Sequence, residues 1–305
     1  MPDVDPSDDT WAHWHPGPEQ PMAALRRIAC HQIERALRQT AALATDDAVH
    51  QLRRWIKHLR AVIALANNLA VIGTGPSAYQ ARAIHRSLAP ARDHRVLADL
   101  ITELYHHADM AGLEPVLERL AAANDTPGPA PLATTPLLAA RRALARLPAS
   151  IGLWTHDDAT QLSPATGLDQ SITAVTQAMQ DAQSHDSGKH FHRWRRRIKT
   201  LIGQLGLFTW TPTVAAIIPA MGAIGHDLGQ EHDLSLLSEQ SANLLSPSEH
   251  HRLTQALGRR QRTMRQRALM AGRDLRPVLA NHLLPTVMQA WADGDERSFT
   301  SAPSM

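Results

Sequence analysis

Apolar residues recur along most of this chain at the three- and four-residue spacing of an amphipathic helix, and few stretches show the period of two that a strand needs. The pattern predicts helices at about 22–44, 45–70, 77–89, 93–107 and 113–123, then at 137–147, 168–183, 189–208, 214–228, 233–245, 247–271 and 277–291. Their ends carry physical markers. Thr45-Asp46-Asp47 offers a cap, Gly73 and Gly75 close the second segment, and Pro90 stops the third. The run 124–136, with Pro127, Gly128, Pro129 and Pro131, reads as a linker, and 152–164 as polar and irregular. Composition points the same way, since Ala and Leu dominate and aromatics make up only 4%. The expected fold class is all-α.

Segment 1–20 is acidic, rich in proline and without an apolar period, so it reads as a flexible N-terminal arm. Its Trp11, His13, Trp14 and His15 have the chemistry to touch a metal or a partner, but a mobile arm without a site is the simpler reading. Residues 21–292 read as one domain of two helical repeats, about 21–150 and 165–292, followed by a flexible tail, 293–305. A single cysteine, Cys30, excludes an intramolecular disulfide and fits a buried thiol in a reducing compartment. No window reaches the roughly 18 apolar residues of a membrane span, and the N-terminus lacks the order of a secretory signal. The expectation is a soluble cytoplasmic protein with no membrane partner.

Charge is nearly balanced, 31 basic residues against 29 acidic, with 18 histidines in addition. An anionic partner must therefore be argued from where the cations cluster. They cluster in VHQLRRWIKHLRAVIAL, from Val49, and FHRWRRRIKTLIGQLGL, from Phe191. Aligning His50 with His192 places Arg53 on Arg195, Arg54 on Arg196, Ile56 on Ile198, Lys57 on Lys199 and Leu59 on Leu201. A second pair of segments follows: Asp93 lies 43 residues after His50, and Asp233 lies 41 after His192. Two matched motifs at matched separation point to a duplicated unit. At about 100° per residue, His50, Arg53, Lys57 and Arg60 share an arc of roughly 80°, with Arg54 beside it and Leu52, Ile56, Leu59 and Ile63 opposite. His192, Arg195, Arg196 and Lys199 share a face in the same way, opposite Trp194, Ile198, Leu201 and Leu205. A solvated face usually mixes signs, because like charges at these spacings repel. Two unmixed stripes make sense if an anion lies between them.

These residues resemble the CHAD family, the conserved histidine α-helical domain. The matching residues are His50, Arg53, Lys57 and Arg60 with Ala91-Arg92-Asp93, then His192, Arg195 and Lys199 with His232-Asp233, and the likeness spans about 21–291. The resemblance implies two antiparallel four-helix bundles related by a pseudo-twofold axis, with a basic groove or pore between them. It also implies non-catalytic binding of inorganic polyphosphate, often at intracellular polyphosphate granules. Some members are fused to a triphosphatase with an ExExK signature, which this chain lacks. The family's Arg-Tyr pair after the second lysine is here Ile202-Gly203, so the second stripe is shorter.

The expected polyphosphate ligands are thus His50, Arg53, Arg54, Lys57, Arg60, His192, Arg195, Arg196, Lys199 and His232, with Arg82, Arg86 and Arg92 as further cations. No cofactor, catalytic residue or metal site is expected. The helix with Arg259, Arg260, Arg262, Arg265 and Arg267 either extends the track or is a solvated face. Asp93 and Asp233 read as N-caps, with the alternative that each holds a motif cation in position. Two rivals remain. One is a metal-dependent phosphohydrolase built on His226-Asp227 and His232-Asp233, if the helix breaks at Gly229. The other is a nucleic-acid binder, against which Trp55 and Trp194 sit on the packing side rather than among the cations.

Overall fold

A computed structural model describes residues 13–14, 19–125, 131–156 and 163–289. Among these residues the chain is all-helical, and its only extended pairing is an isolated bridge between Ile72 and Thr155. The helices are α1 (Pro21–Gln39), α2 (Thr45–Asn68), α3 (Thr74–Ser87), α4 (Ala89–Tyr105) and α5 (Glu114–Asp125), then α6 (Pro131–Ile151), α7 (Pro164–His185), α8 (Gly188–Leu205), α9 (Pro212–Ser241) and α10 (Pro247–Val278). No helix is long and apolar enough to cross a membrane, among the described residues.

Several boundaries differ from the sequence pattern, three of them for plain physical reasons. α9 runs unbroken through Gly229, because packing of Leu228, Glu231 and Leu234 outweighs the roughly 1 kcal/mol that a mid-helix glycine costs. α10 passes Pro277 and continues as a π-turn at Leu279–Leu283, where the missing proline N–H loosens the ladder. α6 begins at Pro131 inside the expected linker, since proline suits the first turn of a helix. The turn before α3 depends on Gly73, which has φ 85° and whose added Cβ would lie 3.1 Å from the Leu153 carbonyl oxygen.

α2 is the central helix, packed on α1, α3, α6, α7 and α8. In the first half α3 pairs with α6 and α4 with α5; in the second, α9 and α10 pair with each other. One apolar core runs through both halves, joining Leu52, Ile56 and Leu59 of α2 to Trp194, Ile198 and Leu201 of α8. A smaller core joins Leu97 and Leu104 of α4 and Leu117 of α5 to Leu234, Leu237, Leu253 and Leu257 of the α9–α10 hairpin.

His13 and Trp14, in the segment read as a mobile arm, are docked, His13 through its Nε2 on the Thr209 hydroxyl at 3.0 Å. Trp14 is 1% exposed and packs on Phe208 at 5.9 Å. Its N–H donates to the Leu207 carbonyl, and its carbonyl accepts from Trp210 Nε1, both at 3.0 Å. A polar arm would not bury an indole of this size unless the chain followed it. Glu19 of the arm pairs with Arg27 at 2.8 Å, while 1–12, 15–18, the linker core at 126–130 and the tail at 293–305 lie outside the described residues.

Candidate anion-binding cleft

The amphipathic pattern of α2 decides where its cations go. Leu52, Ile56, Leu59 and Ile63 are buried, which turns the basic face toward α3 and α8. His50 and Lys57 are exposed, and Arg54 and Arg60 are half-buried. Arg82 and Arg86 stand exposed on α3. On α8, His192 and Arg195 are half-buried while Arg196 and Lys199 keep solvent contact; His232 is half-buried on α9. Arg92 lies in α4, and its side chain is outside the described residues.

The electrostatics show which of these groups meet. Burial lowers the pKa of the Arg60 guanidinium, and the charges of Arg196 on α8 and Arg82 on α3 lower it further. His58 is pushed down to about 3, first by burial and then by Arg54, Lys57 and Lys199. Lys199, although exposed as a residue, is lowered by desolvation and by Arg195, with Asp233 opposing. His192 is lowered by burial and by Arg195 and Arg196. Its ring lies 4.5 Å from that of His232, and its Nδ1 is buried without a hydrogen-bond partner among the described residues. Cations from α2, α3 and α8 therefore crowd one place, with α9 along its side.

The close approach of α2 to α8 has an identifiable cause. A Cβ on Gly203 would lie 2.7 Å from the Ala61 Cβ, and Gln204 Nε2 donates to the Ala61 carbonyl at 3.4 Å. Ala61 and Gly203 each stand eleven residues after their motif histidine, so the two repeats touch at equivalent positions. Glycines on α9 make room for two cations. Added Cβ atoms would meet Lys199 Nζ at 3.3 Å from Gly225 and Arg195 Nε at 3.8 Å from Gly229.

A match to the family model described as the CHAD domain covers residues 23–242. The chain belongs to the CHAD domain family. No curated protein and no solved structure matches it. The match takes in both motif helices and the whole of α9, and it ends before α10. Where this CHAD chain departs from the pattern, at Ile202-Gly203, the departure has a structural use: a bulky residue at 203 would force α2 and α8 apart.

Several sequence expectations are corrected by the geometry. Arg53 is engaged inside the fold rather than standing in the open. It is 7% exposed, and its Nη1 donates to the His85 carbonyl at the end of α3 at 2.8 Å. Asp93 and Asp233 are not N-caps, for Asp93 is the fifth residue of α4 and Asp233 lies deep within α9. The alternative role fits Asp233, whose carboxylate favours the charged form of Lys199. The His-Asp pairs share no break at Gly229, and Asp227 is engaged by Arg267 at 2.6 Å. Part of the basic run on α10 is paired within the fold. Arg260 pairs with Asp109 at 3.0 Å and Arg265 with Glu231 at 2.6 Å. His58 escaped notice in the sequence because it falls between the basic arc and the apolar stripe. Only the crossing of α8 makes it part of the site.

Proposed function

We propose that this CHAD protein binds inorganic polyphosphate, without chemistry on it, in the cleft between α2, α3, α8 and α9. The reading rests on the meeting of cations from both repeats, with Arg60 beside Arg196 and Arg82. Like charges held together cost the free protein stability, and a polyanion between them converts repulsion into attraction. Polyphosphate carries about one negative charge per phosphate and no bases, so charge and oxygen acceptors are all that a protein can read. Arginine offers two donors to one phosphate, lysine a compact charge, and histidine a charge that the ligand itself can induce. Trp55 and Trp194 are buried in packing, which leaves no indole of the motif helices on which nucleobases would stack. The equivalent contact of Ala61 with Gly203 supports a pseudo-twofold relation between two four-helix bundles, with the cleft near its axis. Residence in the cytoplasm at polyphosphate granules belongs to the same proposal.

Competition decides between anions. Labelled polyphosphate bound to the full chain should resist displacement by RNA at matched phosphate concentration, and incubation with Mg²⁺ or Mn²⁺ should release no orthophosphate. Equal displacement by RNA would assign the cleft to nucleic acid, and phosphate release would make the protein a hydrolase.

A further inference from the structure

α10 carries a second concentration of positive charge that the cleft does not use. From His250 to Arg273 it has seven arginines and no acid in 24 residues. Three are neutralised by other elements: Arg260 by Asp109 and Glu103, Arg265 by Glu231 and Asp186, and Arg267 by Asp227. The other four, Arg252, Arg259, Arg262 and Arg273, are exposed. Among the described residues none of these four has a carboxylate within ion-pair distance. The helix's own acids, Glu249 and Asp274, stand at the two ends, and Glu249 is held by Arg119.

At 100° and 1.5 Å per residue, the four arginines fall within an arc of about 80° and form a row about 32 Å long. Gln255, Gln266 and Met270 lie exposed in the same arc, and no aromatic residue does. The opposite face, with Leu253, Leu257, Met264, Ala268 and Gly272, is buried, and α10 packs on α9 and α7. The row therefore faces away from the body, whereas the cleft cations come from α2, α3, α8 and α9.

We propose that this outer face of α10 is a second polyanion track, shaped for an extended chain of phosphates, so that one molecule holds two stretches of polyphosphate. The proposal rests on the polyphosphate reading of the cleft. A straight row of guanidinium groups suits a linear ligand; a compact phosphate ester would reach only one or two of them. Without an aromatic platform the face has nothing to stack on bases, which favours polyphosphate over nucleic acid. A merely solvated face would be expected to mix signs, in a chain with nearly as many acids as bases. The family match ends at residue 242, before the row begins. Two tracks facing different ways make the protein bivalent, able to bridge separate chains or to gain avidity on a long one.

The test compares the wild type with the quadruple variant R252Q/R259Q/R262Q/R273Q, whose exposed positions leave the core intact. Labelled chains of about 10 and about 100 phosphates are titrated, and light scattering is followed on mixing with the long chain. The variant should bind the short chain within about twofold of wild type, lose roughly tenfold on the long chain, and show a salt slope shallower by about 3. Scattering seen with wild type should disappear. As an independent arm, a cleft variant (Lys57→Gln, Arg60→Gln, Arg196→Gln, Lys199→Gln) should keep salt-dependent long-chain binding that vanishes when the four α10 changes are added. Unchanged long-chain affinity, slope and scattering would show the row to be a solvated face. Loss of RNA binding with polyphosphate binding intact would give the surface to nucleic acid; either result overturns the proposal while leaving the cleft standing. A wild-type protein that binds neither chain length would take down both readings.

Discussion

Arg60 offers the sharpest separation of stability from function. It is held where α2, α3 and α8 meet, and burial, Arg196 and Arg82 all disfavour its charge. A cation in such a place weakens the free fold and serves only when an anion arrives. Changing Arg60→Met keeps most of the aliphatic stem in its packing and removes the charge. Relief of repulsion from two neighbours, discounted for solvent screening, should raise the unfolding free energy by about 0.5–1 kcal/mol. For a chain of this size that corresponds to a Tm higher by about 1–3 °C. Polyphosphate affinity should fall instead, since one lost charge-assisted contact is worth about 1–2 kcal/mol, or roughly 5- to 30-fold. Thermal unfolding in low salt, with and without a saturating short polyphosphate, reads both quantities on one sample. The variant should melt above wild type when free and below it when loaded. A variant that melts lower when free, with unchanged affinity, would show Arg60 to be a structural cation and refute the reasoning.

Gly203→Val should drive α2 from α8, because even a bare Cβ there would lie 2.7 Å from Ala61; a loss of about 1–3 kcal/mol by urea unfolding is expected, together with weaker polyphosphate binding. Glu231→Gln should cost about 3 kcal/mol, since it strips the buried partner from Arg265. Acid should weaken the fold through His58. Its folded pKa of about 3 lies below the ordinary 6.5, so its contribution is full above pH 6.5 and falls by about 1.4 kcal/mol per unit below it. Between pH 6.5 and 4.5, before most carboxylates protonate, His58→Gln should flatten that slope in denaturant titrations; an identical slope would mean that another group titrates. The first stripe has Arg60 where the second has Ile202, so Lys57→Ala with Arg60→Ala should weaken long-chain binding more than Arg195→Ala with Lys199→Ala, as measured by titration.

Much of this was legible in the chain because helices announce their faces. The arc that gathers His50, Lys57 and Arg60 and the stripe of Leu52, Ile56 and Leu59 follow from 3.6-residue geometry alone, and the stripe is buried as expected. The two matched motifs were legible from spacing. Illegible were features that depend on a third element arriving. Arg53 belongs to the basic arc by angle, yet the end of α3 supplies a carbonyl that holds it. Gly229 lowers helix propensity locally and so reads as a break, but here it is held helical by neighbours and makes room for Arg195. Trp14 sits in a stretch with every local sign of disorder, and only the Leu207–Trp210 turn reveals its pocket. The arginines of α10 look alike in sequence; acids on other helices sort them into paired and exposed sets.

The central claim is that cations from both repeats act on one polyanion. It is tested most directly by the salt dependence of short-polyphosphate binding, compared between wild type and a protein with Lys57, Arg60, Arg196 and Lys199 all changed to Gln. With roughly six phosphate contacts, the wild-type log–log slope should lie near −4 to −5, and the variant should fall to near −1 to −2 with at least a hundredfold loss of affinity at low salt. A flat wild-type response, or a variant that binds as wild type does, would contradict a shared charge-driven cleft.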